Sequence, residues 1–460
     1  AGAETLAEFQ RRIAEYARAN PNAAWITGDG WGYGVFPDKI AHRRHLDAVV
    51  ADRPVCLRER DGHMVLVNSK ALQLAGITRE TADPANGQIV RDSAGEPTGE
   101  LLESGAMRLV AQLLPKPTPD ERYQAFLRHM DEAASAGITA VQNAHGNDAD
   151  HALFARARDT GALKIRLRLA WPLTAPGNES EATKKLEILA QLRADFCGPL
   201  LEFGALKGFL DGTVDGRTAA MLEPLVGGAN GQPLWEPEAL NRTVAFYDKA
   251  GVQIMLHAIG DRAVRLALDA YEAAAKTNGT TGRRHRIEHV ELVAPVDLPR
   301  FKTLGVVAVT EPLYASPDAT TLGSFAVLLG PARAARADAY RLFDEAGAAQ
   351  AFGTDWPYFP QPPLLGIYTT VTRMTPAGTP AGGWYPENRI SVEAALRHYT
   401  IDGAYACFAE RDRGSLVPGK FADFAVLSEN LLEIPATRLL ETKVLLTVLG
   451  GQPTHQAEGW

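Results

Sequence analysis

From about residue 138 the chain alternates short apolar runs with longer amphipathic stretches, and no other feature restricts its fold as strongly. The runs are ITAVQNA (138–144), IRLRLAW (165–171), GALKGFL (204–210), VQIMLHA (252–258), HRIEHV (285–290), VVAVTE (306–311) and QAFGTDW (350–356). Between them the apolar positions recur at helical spacing, most clearly in DRAVRLALDAYEAAAK. Strand and helix in this rhythm require crossover connections, and therefore a parallel sheet. A sheet of this kind closes as a (β/α)8 barrel when it has eight strands, and only seven runs are countable here.

The first hundred residues do not read as the missing βα unit. They hold an amphipathic helix (TLAEFQRRIAEYARAN), the run WITGDGW, a strand-like PVCLRE and a turn-rich TADPANGQIVRDSAGEPTG. That pattern suggests a lobe inserted beside the barrel mouth. Near the other end, FADFAVLS (421–428) and TKVLLTVLGGQP (442–453) read as two strands, which are marginal alone and need partners. The expected organisation is an inserted lobe over 1–115, a TIM-like α/β barrel over 116–410, and part of a small β-sandwich over 411–460. A chain of 460 residues accommodates one such barrel with its appendages.

Charge and composition narrow the partners. A net charge of −8 with no basic face argues against nucleic acid. No stretch approaches the roughly 18 apolar residues a membrane helix needs. The expectation is a soluble, cytoplasmic protein acting on a small molecule, with a removed export signal and a homodimer both left open. Cys56, Cys197 and Cys407 are odd in number and far apart, so they read as buried thiols rather than a disulfide framework or a CxxC metal site.

Four chemistry-bearing residues gather where the apolar runs end: Lys207, His257, His289 and Asp355. Barrel enzymes place their sites at the C-terminal ends of the strands. A single histidine there reads equally well as a hydrogen-bonded core residue. Four potential ligands on four strand ends are harder to explain that way. Imidazole nitrogen and carboxylate oxygen suit zinc or a similar divalent ion, and a water made nucleophilic by that ion implies a hydrolase. Asp355 is suited to take the proton from the water and hand it to a leaving nitrogen. A buried ammonium on Lys207 would repel the ion, whereas carboxylation of its nitrogen would reverse the charge.

The segments LKGFLDGTVDGRTAAMLEP, LHAIGDRAV, RIEHV and AFGTDWPY resemble the motif series of the amidohydrolase superfamily, in the branch that includes N-substituted formamide deformylase. DRPVCLRERDGHMVLVNSKALQLAGI and GSLVPGKFADFAVL extend the resemblance over nearly the whole chain. It implies a metal-dependent hydrolase of amide-like C–N bonds with one or two divalent ions, zinc being expected. Lys207 would be a carboxylated lysine bridging two metals, His257 and His289 the ligands from strands five and six, and Asp355 the acid of strand eight. The DGH segment containing His63 would reach over the site toward substrate, with a surface-loop histidine beside Asp61 as the plainer alternative. Arg217 could hold a substrate carboxylate or carbonyl through its planar fork, or form a structural ion pair. Trp356, with Trp31, Tyr33, Tyr358 and Trp384, could wall an apolar pocket, or simply pack.

One departure stands out. The family's first strand carries an H-x-H pair, and no H-x-H occurs in these 460 residues. The expectation is that the intact protein has a further N-terminal segment of roughly 40–80 residues supplying that strand and the other half of the sandwich. Two other readings stay open: a metal-poor barrel serving as a binding protein, and a lactone or phosphoester hydrolase on the same fold.

Overall fold

A computed structural model describes the chain except residues 1, 2, 4, 38, 61 and 280. Among the described residues the strands form three sheets.

The first sheet belongs to the N-terminal lobe. It contains β1 (Ile26–Trp31), β2 (Val55–Glu59), β3 (Met64–Val67), β4 (Gln88–Arg91) and β5 (Pro97–Leu102), in the order β1-β2-β3-β5-β4. β1 runs parallel to β2 and the remaining pairs are antiparallel. β3 is buried on both faces, because Met64 and Leu66 join one apolar layer while Val65 and Val67 join another. The first layer is covered by the helix Leu6–Ala19, which buries Phe9, Ile13 and Ala17, spaced one helical turn apart. Trp31 and Tyr33 are part of that layer, so they are lobe core and not pocket wall.

The second sheet has seven parallel strands in strict chain order: β6 (Ala140–Gln142), β7 (Arg166–Pro172), β8 (Leu201–Phe209), β9 (Gln253–Ala258), β10 (Arg286–His289), β11 (Val307–Thr310) and β12 (Ala349–Phe352). Side chains alternate as the pleat demands. Ile254, Leu256 and Ala258 of β9 pack on Val264, Leu268 and Tyr271 of the helix Asp261–Asn278, while Met255 meets Ala170 and Ala205 on the other side. Lys207 and His257 share that inner parity. Among the described residues β6 and β12, the two ends of the sheet, do not pair with each other. Beside them lies a cleft of about 450 Å³ lined by Glu132, Ser135, Trp356, Pro362, Thr442 and Val444.

The third sheet is antiparallel, with β13 (Phe424–Leu427), β14 (Val444–Leu449) and β15 (Gln452–Gln456) in that order. The run 442–453, expected as one strand, is thus two. It reverses at Gly450 and Gly451, whose φ values of 56° and 82° suit glycine. This sheet is fastened to the second by Asp423, which accepts from Arg166 Nε at 2.6 Å and Nη2 at 2.9 Å. Cys56 is buried and Cys407 partly so, whereas Cys197 is exposed, against the expectation of three buried thiols. Among the described residues no helix is long and apolar enough to cross a membrane.

Candidate active site

The inner-facing residues at the C-terminal ends of β8 to β12 converge. His257 and His289 lie with ring centroids 4.5 Å apart, and the His63 ring from the lobe stands 4.9 Å from His257. Lys207 Nζ sits 4.9 Å from the centroid of Phe209, itself beside His257. Asp355 accepts a hydrogen bond from Tyr314 Oη at 3.0 Å, and the Tyr314 ring stacks on His289.

Two of these placements depend on backbone that ordinary residues avoid. Ile287 faces the helices, so strict alternation would turn His289 outward too. A φ of 74° at His289, followed by 50° at Val290, brings its ring to His257 instead. Asp355, three residues beyond β12, has φ 50°. Left-handed backbone at non-glycine residues is unfavourable and concentrates at functional sites.

Hydrogen bonds fix which nitrogens face the site. His257 Nε2 lies 3.2 Å from the Gly212 carbonyl, which only accepts, so the hydrogen is on Nε2 and Nδ1 keeps its lone pair. His289 Nδ1 lies 3.1 Å from Glu311 Oε2. Among the described residues neither His257 Nδ1 nor His289 Nε2 takes part in a hydrogen bond. Asp211 organises the rim: its carboxylate accepts from the backbone N–H groups of Ile259, Gly260 and Ala220 at 2.9 to 3.0 Å and lies 3.6 Å from His257 Nε2.

Burial sets the protonation states. It holds His257 well below the ordinary histidine value, helped by His289, His63 and Lys207, and His289 is lowered to about 4, by burial and then by Lys207. Neutral imidazole is the form that ligates metals. Burial also lowers Lys207, against the opposing pull of Glu288, Asp355 and Glu311, which favours the free amine that carboxylation requires. Glu311 is pushed well above the carboxylate range by burial, then by Asp355 and Glu288.

Lys207, His257, His289, Asp355 and His63 are therefore brought together. Arg217 is not: it is exposed on the turn after β8 with φ 57°, where its charge acts on Tyr33 and Glu100 of the lobe. Trp356 is 39% exposed and packs on His129 beside the seam, and Trp384 lies over Arg373. Tyr358 covers Gly62, where an added Cβ would stand 2.1 Å from the ring. Asp61, set beside His63 in the plainer alternative, is outside the described residues. Glu311 was legible, being an acid at the end of VVAVTE, yet it was not among the expected site residues. Glu103, hydrogen-bonded to His63, had no such signal.

The donors fit a divalent ion in kind: two imidazoles each with an uncommitted nitrogen, a carboxylate, and a lysine whose ammonium burial disfavours. They fall short in number. Among the described residues no group of three or more His, Cys, Asp or Glu side chains is placed to hold a metal ion.

A parallel α/β sheet with paired histidines, a lysine and an aspartate at its C-terminal edge is the architecture of a barrel hydrolase. The chain belongs to the amidohydrolase family, whose sequence model matches residues 1–455. It is 33% identical to protein LONG AFTER FAR-RED 3 of Arabidopsis thaliana, over 97% of this chain and 77% of that one. It is 25% identical to the N-substituted formamide deformylase of Arthrobacter pascens, over 99% of this chain and 83% of that one. Among solved structures, an uncharacterized metal-dependent hydrolase from Pyrococcus horikoshii superposes with a TM-score of 0.69 at 23% identity, covering 95% of this chain and 82% of that one. That likeness establishes the TIM-like α/β fold.

Proposed function

We propose that this protein is a metal-dependent amidohydrolase cleaving an amide-like C–N bond in a small organic substrate. The observation that carries the reading is the meeting of His257 and His289, each with one uncommitted nitrogen, beside Lys207 and Asp355. Similarity to a relative named N-substituted formamide deformylase supports the choice of bond. His257, His289, Asp355 and a carboxylated Lys207 would hold one or two divalent ions, zinc first among them. Such an ion supplies Lewis acidity at the scissile carbonyl and lowers the pKa of water.

The chain's own groups do the rest. Tyr314 Oη, donating to Asp355 Oδ2, aims the carboxylate. Asp355 takes a proton as water oxygen bonds to the carbonyl carbon, and returns it to nitrogen as the C–N bond breaks. His63 faces the reacting group from the lobe. In this reading residues 1–115 are the lobe, 116–410 the barrel, and 411–460 part of a β-sandwich. An eighth strand between β6 and β12, bearing the expected H-x-H, completes the ligand set; the two unpaired edges and the cleft beside them support it.

The shortfall of donors favours one rival for the 460-residue chain taken alone, a metal-poor barrel that binds without catalysing. The test is elemental analysis of protein with a closed barrel, together with turnover of formamides, acylated amino acids, lactones and phosphotriesters side by side. Bound zinc, iron or manganese with amide cleavage is expected. No metal and no amide cleavage would leave the binding reading standing, and cleavage of lactones or phosphotriesters alone would move the scissile bond.

A further inference from the structure

We propose that Glu103 is a positioning residue of this site, acting through His63: it fixes one tautomer of the ring and holds it against His257. The consequence for turnover rests on the hydrolase reading above, but the geometry does not.

The two residues are joined twice. Met64 pairs with Leu102 in the β3–β5 ladder, and one step beyond it the Glu103 N–H donates to the His63 carbonyl at 2.7 Å. The side chains repeat the link, with His63 Nδ1 3.0 Å from Glu103 Oε2. The Glu103 oxygen accepts, so the ring hydrogen it meets belongs on Nδ1. The ring held this way lies 4.9 Å from His257 and 6.4 Å from Phe209.

Glu103 is an awkward residue for a purely structural role. Its φ is 61°, in the region that favours glycine. Its Oε1 is buried without a hydrogen-bond partner and stands where a Cβ on Gly212 would be, 2.1 Å away. Gly212 provides the carbonyl that fixes His257. Strained backbone and an unsatisfied carboxylate oxygen in one residue, pressed on the loop that sets a site histidine, mark a position kept for function. As first residue of the helix Glu103–Ala111 an acid is favourable, but that explains neither the backbone nor the orphan oxygen.

The test is a mutant cycle on the whole chain with two readouts. Nitrogen-15 spectra of labelled histidines report the tautomer directly, with His63→Ala assigning the signal. The wild type is expected to show the Nδ1–H pattern for His63, Glu103→Ala to lose it, and Glu103→Gln to keep it, since the amide oxygen accepts from Nδ1–H. In turnover, Glu103→Ala is expected to lower kcat about 100-fold, the scale of a misplaced site group. Glu103→Gln should recover most of that loss, and His63→Ala/Glu103→Ala should be no worse than His63→Ala alone. Melting temperatures check that each variant folds, and Glu103→Gln remains informative if the alanine variant does not. An unchanged tautomer in Glu103→Ala, or losses that multiply in the double variant, would overturn the assignment. If no form of the protein hydrolyses anything, the hydrolase reading fails and the spectra alone decide this one.

Discussion

Glu311 and His398 show how much a single buried group can govern. Glu311 orients His289 through Nδ1, so Glu311→Gln should weaken metal binding about 10–100-fold while leaving the fold intact, measured by competitive chelation in a closed-barrel form. His398 lies far from that chemistry, between Asp344 at 3.2 Å and Asp402 at 2.9 Å, with Gln350 and the Phe352 ring against it. Those hydrogen bonds outweigh burial and raise it from 6.5 to about 9. Because the folded value is the higher one, its stabilisation is complete below about pH 6.5 and disappears as pH rises through about 9. The difference corresponds to stability on the order of 3 kcal/mol. Denaturant midpoints across that window should fall for the wild type relative to His398→Phe, and parallel curves would rule the effect out. The sequence rule that acids and histidines at strand ends are suspects found His257, His289 and Asp355, and would have found Glu311. It could not find Glu103, whose role arises from a ladder register 40 residues long in the chain.

At the level of elements, the alternation of short apolar-rich runs with amphipathic stretches located all seven parallel strands, even where charged or polar residues interrupt them, as in RIEH of β10. It failed for β15, where QPTHQ is half-exposed and polar, and for the break at Gly450 and Gly451. The third sheet is also where one ion pair matters most. Arg166 and Asp423 have side chains only 5% and 3% exposed, so removing one leaves the other's charge buried and uncompensated. Arg166→Met should destabilise the protein by about 3–5 kcal/mol. Arg166→Met/Asp423→Leu should recover much of that, and calorimetry comparing the two distinguishes a buried charge effect from lost packing.

Among the described residues the second sheet runs from β6 to β12 with each inner strand paired on both sides. Amide exchange should be slower in β7 to β11, each of which has a neighbour on both sides, than in β6 and β12. Equal protection at both edges and centre would mean the seam is covered. The barrel supplies Lys207, His257, His289 and Asp355, whereas His63 and Glu103 arrive from a lobe with its own sheet and its own apolar layers. The site is thus assembled from two sheets, and a change at position 63 or 103 reaches the barrel histidines directly, through the His63–His257 face and through the Glu103 contact with the Gly212 loop.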